Sequence, residues 1–142
     1  MLGEFIEILL VEDNPADIRL IKEVFKDFTI QNEIRVVRDG IAAMEYLHKN
    51  GKYKNTSRPN LVLLDLNLPL KDGRDVLVEI KEDEDLKSIP VIILTTSNSP
   101  EDIAEAYRHY ASCYITKPAN LDNFIKVLKS LEDFWLNMMR LP

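Results

Sequence analysis

Short apolar runs alternate with amphipathic stretches along this chain. The runs are Ile8–Val11 (ILLV), Leu61–Leu64 (LVLL) and Val91–Leu94 (VIIL), each ended by a polar or charged residue. Between them, apolar residues recur at helical spacing: Ile18, Leu20, Ile21, Val24, Phe25 and Phe28, then Ile41, Met44, Tyr46 and Leu47, then Val76, Leu77 and Ile80. The pattern predicts strands over Ile8–Val11, Ile34–Val37, Leu61–Leu66, Val91–Thr95 and Tyr114–Thr116. Helices are predicted after Asn14-Pro15, after Asp39-Gly40, over about Asp72–Asp83, from Ser99-Pro100, and from Asn120 to about Met139. Asn14, Asp39, Ser99 and Asn120 are the expected N-caps. Pro15 and Pro100 suit a first helical position, and Asp17, Glu101 and Asp102 suit the positive end of a helix dipole. The polar, turn-rich segment Asn50–Pro59 reads as a loop.

Strands and helices that alternate in this way imply a parallel sheet with helices on both faces. The continuous apolar runs fit strands covered on both sides. In such open sheets the site lies outside the carboxyl ends of the strands, and there this sequence puts Glu12 and Asp13, Asp65, Thr95 and Lys117. Asp65 is the sharpest case, because a run as apolar as LVLL is buried and a lone ionised carboxylate at its end is costly without partners.

The length of 142 residues suits one domain with a real core. The net charge of −6 speaks against a nucleic-acid phosphate footprint. One cysteine, Cys113, fits a reducing compartment. No basic leader precedes the first apolar run, which breaks at Glu12, so neither a signal peptide nor a membrane span is expected, and the cytoplasm is the expected location. One cysteine and two histidines give no zinc spacing. His48, His109 and Cys113 read as ordinary surface or packing residues, and Gly73 as a backbone requirement near a helix start.

Carboxylates gathered at one sheet edge repel one another, and a hard divalent cation relieves that. Magnesium takes oxygen ligands and keeps several waters. Lys117 adds a point charge and Thr95 a hydroxyl. Together they compose a site for handling a phosphoryl group on an oxygen nucleophile.

Glu12-Asp13 after ILLV, Asp65 after LVLL, Thr95 after VIIL and Lys117-Pro118 after YIT resemble the receiver domain of two-component response regulators, the CheY-like group. The resemblance spans about Ile6 to Leu136. The loop KNGKYKNTSRPNLVLLDLNLP and the tail EDFWL resemble the small stand-alone regulators that accompany phytochrome-type and other sensor histidine kinases. The resemblance implies a flavodoxin-like (βα)5 three-layer sandwich with a sheet in the order 2-1-3-4-5, and a single receiver domain without an output domain. It implies that Asp65 is the phosphoacceptor for a sensor histidine kinase. Asp13, Asp65 and the Asn67 backbone carbonyl would hold Mg2+, with Glu12 acting through water. Lys117 would pair with Asp65 and then with the phosphoryl oxygens, Thr95 would swing onto the phosphoryl group, and Tyr114 would turn inward as an aromatic switch. The Lys117–Pro118 bond is expected to be cis, as it often is in the family. Output would pass to a downstream protein partner.

Two other readings compete. Asp65-Leu66-Asn67 is similar to the nucleophile loop of haloacid-dehalogenase-type phosphatases, but a second aspartate is expected where Asn67 stands, and the strand comes third rather than near the start. A degenerate receiver used only for docking conflicts with the complete acid set. Nucleotide binding lacks a glycine-rich motif. In the last helix, Leu121, Phe124, Ile125, Leu128, Leu131 and Trp135 form one apolar stripe, and Val127, Phe134, Met138 and Met139 widen it. Such a helix offers more apolar surface than one core needs, which predicts a homodimer through the last two helices and the fifth strand.

Overall fold

The computed structural model describes residues 5–139, with side chains as far as Trp135. Its elements run β1 (Phe5–Val11), α1 (Pro15–Lys26), β2 (Gln31–Val37), α2 (Gly40–Leu47), β3 (Leu61–Leu64), α3 (Gly73–Glu82), β4 (Val91–Thr95), α4 (Pro100–Arg108), β5 (Cys113–Thr116) and α5 (Leu121–Met139). A 3₁₀ turn, Gly51–Tyr53, lies within the segment expected to be loop. The sheet order is β2-β1-β3-β4-β5, and every neighbouring pair is parallel. This is the flavodoxin-like arrangement.

The helix starts follow from their caps. The Asn14 side-chain oxygen accepts from the backbone N–H of Ala16 at 2.9 Å and of Asp17 at 3.1 Å. Asp39 accepts from Ala42 at 2.6 Å, Ser99 from Asp102 at 3.3 Å and Asn120 from Asn123 at 3.1 Å. Each satisfies an N–H that the helix itself leaves unpaired.

The apolar runs divide by alternation, as side chains on a pleated strand must. Leu9, Val11, Val62, Leu64, Val91 and Ile93 face α2, α3 and α4, where Met44, Val76, Leu77, Ile80 and Ala106 meet them. Ile8, Leu10, Leu61, Leu63, Ile92 and Leu94 face α1 and α5, against Ile18, Ile21, Phe25, Phe124, Leu128 and Trp135. Burial on both faces is what lets these strands be apolar throughout.

Several expectations are corrected. The second strand begins at Gln31, because parallel pairing with β1 already starts at Phe5 opposite Gln31; its first residues are exposed or half-buried and carry no apolar signal. The third strand ends at Leu64, although Leu66 beyond it is buried. Ile41 and Leu121 are exposed, because each stands on the outward side of its helix start, while Gly40 and Ala43 in α2 and Phe124 in α5 face inward. Phe28 lies past the end of α1 and stacks on Phe25 with ring centroids 4.3 Å apart. No peptide bond among the described residues is cis, so Lys117–Pro118 is trans. Ile125, Val127 and Phe134 are half-buried, while the Met138 and Met139 side chains lie outside the described residues.

Candidate functional site

Glu12, Asp65 and Lys117 each stand one position past a strand and are still held by the sheet. The Glu12 N–H donates to the Val37 carbonyl at 3.0 Å, the Asp65 N–H to Val11 at 3.0 Å and the Lys117 N–H to Thr95 at 2.7 Å. One more ladder bond beyond each strand end fixes these backbones while their side chains turn into the space above the sheet. That is how a buried strand comes to deliver Asp65 in a fixed place.

The Lys117 ammonium lies at the centre. Its Nζ donates to Glu12 Oε1 at 2.5 Å, Asp17 Oδ2 at 2.8 Å and Asp65 Oδ2 at 3.1 Å. Lys117, Glu12 and Asp65 are all buried, while Asp17 is half-buried at the mouth. Burial drives the Glu12 carboxyl up to about 7, and the hydrogen bond and charge of Lys117 oppose that rise only in part. Burial also pulls the Lys117 ammonium down, but the hydrogen bonds it donates to Asp17 and Glu12 and the charges of Glu12 and Asp65 outweigh it and hold the group above the usual lysine range. Lys117 therefore stays charged throughout the physiological range.

Glu12, Asp13 and Asp65 each offer a carboxylate oxygen, and these oxygens lie within 4.8 Å of one another. Asp13 is exposed, so the cluster opens to solvent. An all-oxygen donor set with one open side fits a hard divalent cation that keeps some of its water. Asn67 follows two residues after Asp65, and its N–H donates to Asp65 Oδ1 at 3.1 Å.

Thr95 is fully buried. Among the described residues its hydroxyl accepts only a long bond, from the Ser97 N–H at 3.4 Å, and makes none to Asp65. Tyr114 is half-buried, and its hydroxyl donates to the Ser97 carbonyl at 2.8 Å. The structure thus brings Glu12, Asp13, Asp65 and Lys117 together and sets Thr95, the last residue of β4, and Tyr114, in β5, against Ser97 on the loop after β4. His48 and His109 lie apart, near Asp83 and Glu105. Cys113 is half-buried, and burial pushes its thiol up.

Two features escape the sequence reading. Asp17 had a sufficient local role as a first-turn acid; the signal available was its place in the first turn of the helix that starts directly after Glu12-Asp13. The second is a clasp between α3 and α4. The Arg74 guanidinium grips Asp102 with Nε at 2.8 Å and Nη2 at 2.7 Å, and Nη1 reaches Asp72 at 2.9 Å. The Ser97 hydroxyl also donates to Asp102, at 2.6 Å. Arg74, and then Ser97, hold the Asp102 carboxyl down at about 2. The clasp joins the loop after Asp65 to the loop after Thr95.

The chain matches the response regulator receiver domain over residues 8–129. It is 53% identical to the response regulator Rcp1 of Synechocystis sp. over 135 residues, 95% of this chain and 92% of that protein. Among solved structures, the Mn(2+)-bound form of Rcp1 superposes with a TM-score of 0.92 at 52% identity, covering 96% of this chain and 99% of the other. The phosphorylated cyanobacterial phytochrome response regulator RcpA gives a TM-score of 0.92 at 53% identity, covering 97% and 99%. With the carboxylates of Glu12, Asp13 and Asp65 gathered in one acidic pocket, this chain belongs to the response regulator receiver family: it is a phosphorylatable receiver of a two-component system and not a conventional enzyme.

Proposed function

We propose that Asp65 is the phosphoacceptor and that the donor is the phosphohistidine of a phytochrome-type sensor kinase. The observation that carries this reading is the Lys117 ammonium 3.1 Å from Asp65 Oδ2 inside a cluster of acids. A carboxylate oxygen of Asp65 forms the new O–P bond as the P–N bond to the histidine breaks, and the electron pair returns to the imidazole nitrogen. Lys117 is placed to neutralise the equatorial oxygens as charge builds on them. Asp13, Asp65 and the Asn67 carbonyl would hold Mg2+, with Glu12 reaching it through water. The cation would supply positive charge to bring an anionic donor up to an anionic nucleophile.

The switch, in this reading, is Thr95 moving onto the phosphoryl group, with Tyr114 following. Both adjoin Ser97, whose hydroxyl is tied to the Arg74–Asp102 clasp, so a shift at Thr95 bears on α4. The changed surface then meets a downstream protein partner. No helix among the described residues is long and apolar enough to cross a membrane, and the cytoplasm is the proposed setting.

The test is transfer from a radiolabelled kinase. Label is expected to pass from a phosphorylated phytochrome-type kinase to this chain within seconds in Mg2+, and far more slowly from an unrelated sensor kinase. Equal rates from both would remove the phytochrome assignment. The proposal also includes a homodimer through α4, β5 and α5. The exposed Tyr107 and Tyr110 and the half-buried β5 edge support it. Sedimentation as a pure monomer at high concentration, with and without phosphorylation, would overturn the dimer.

A further inference from the structure

An ammonium has three N–H donors, and those of Lys117 are all spoken for: Glu12 at 2.5 Å, Asp17 at 2.8 Å and Asp65 at 3.1 Å. The bond to the reacting residue is the longest. To neutralise a phosphoryl group beyond Asp65, the ammonium must move outward from Glu12 and Asp17 or loosen one of them. Glu12 is buried, and its other carboxylate oxygen accepts from the Asn14 N–H at 3.2 Å. Asp17 stands at the mouth, on the first turn of α1, where its own N–H is capped by Asn14. Asp17 and Lys117 line the same open cleft of about 340 Å³, beside Thr96 and Pro118. A carboxylate there competes with the arriving phosphoryl oxygens for the same donor.

We infer that Asp17 is a positioning residue that holds Lys117 in a resting seat, so that the Asp17–Lys117 bond must loosen for Lys117 to engage the phosphoryl group. This deepens the Asp65 reading and rests on it. By this account Asp17 sets the rate of phosphoryl acceptance through Lys117, without touching the donor. Asp17→Asn leaves Lys117 seated by Glu12 and Asp65 and replaces the carboxylate by a neutral amide oxygen, a weaker acceptor that yields its N–H to the phosphoryl oxygens more readily.

The experiment is the rate of adduct formation with acetyl phosphate and Mg2+, read by intact mass. The Asp65 oxygen forms the O–P bond as the P–O bond to acetate breaks, and acetate leaves with the electron pair. Asp17→Asn is expected to raise the rate roughly threefold to tenfold, the scale of a partly exposed charged contact. Glu23→Gln, an exposed acid elsewhere on α1, should leave it unchanged. The comparison is repeated near 1 M salt, where charges interact over only about 3 Å. A gain that persists there supports the holding bond, which is a direct contact. A gain that disappears shows Asp17 to be a general repeller of anions and overturns the inference. So does an unchanged or lower rate in Asp17→Asn. No adduct on the unaltered protein would instead overturn the Asp65 reading, and this inference with it.

Discussion

Lys117→Ala should lose about 3–5 kcal/mol of folding stability in the absence of divalent metal, the usual cost of removing one partner from a buried ion pair. The side chain is 4% exposed and is hydrogen-bonded to three carboxylates. Without it, Glu12 and Asp65 are buried acids with no cation among the described residues to face them. The pH dependence has a definite sign. Glu12 already stands near 7 in the folded protein, above its ordinary value of 4.5. Its share of the stability is therefore present below about 4.5 and lost as pH rises through 7. Removing Lys117 takes away the two influences that lower Glu12 most and moves its carboxyl higher still. At pH 5.5 Glu12 is protonated in both proteins, so its part of the deficit is small; above pH 7 only the unaltered protein can ionise it, and the deficit widens. Millimolar Mg2+ should raise the melting temperature of the variant more than that of the parent, because the cation replaces the missing positive charge. Chemical denaturation at the two pH values checks this. A loss no larger than that of the exposed Lys129→Ala would contradict it.

Gly73→Ala should be nearly as damaging, for a different reason. An added Cβ would lie 2.1 Å from the Asp65 carbonyl oxygen and 2.7 Å from the Leu66 Cα. Both are backbone atoms, so no side chain can rotate away. The Gly73 N–H also donates to the Leu66 carbonyl at 2.9 Å, which ties the start of α3 to the strand end it crowds. Alanine favours a helix over glycine by up to about 1 kcal/mol, and overpacking of this kind costs on the order of 3 kcal/mol, so the clash wins. Relief requires α3 to back away from the segment that carries Asp65, and the rate of phosphoryl acceptance should fall with stability. A thermal melt and a phosphorylation time course together check this. Unchanged stability would mean that the loop after β3 has slack the structure does not show.

The legible part of this protein is the part where one strand end carries its own chemistry. ILLV, LVLL and VIIL are buried on both faces, and the acids, threonine and lysine that end the strands converge because parallel strands all point one way. Asp13 and Asp65 could be placed together from that rule alone. The family resemblance implies a water-mediated part for Glu12, whereas its direct bond to Lys117 depends on two strands that the sequence separates widely. Asp17 was hidden because the helix dipole already explained it. The Arg74–Asp102–Ser97 clasp was hidden because an arginine after a glycine, an acid in a first turn and a loop serine each look like solvated surface; only the packing of α3 beside α4 brings them into contact. Ile41 and Leu121 misled in the opposite direction. Both are apolar and close to helical spacing with core residues, yet each stands on the outward side of its helix start.

The central claim is that Asp65 takes the phosphoryl group, and intact mass after incubation with acetyl phosphate and Mg2+ tests it most directly. One added phosphoryl group on the unaltered chain is expected, absent from Asp65→Asn and absent when the metal is chelated. An adduct of the same size and yield on Asp65→Asn would contradict the account and send the search for the phosphoacceptor to another residue.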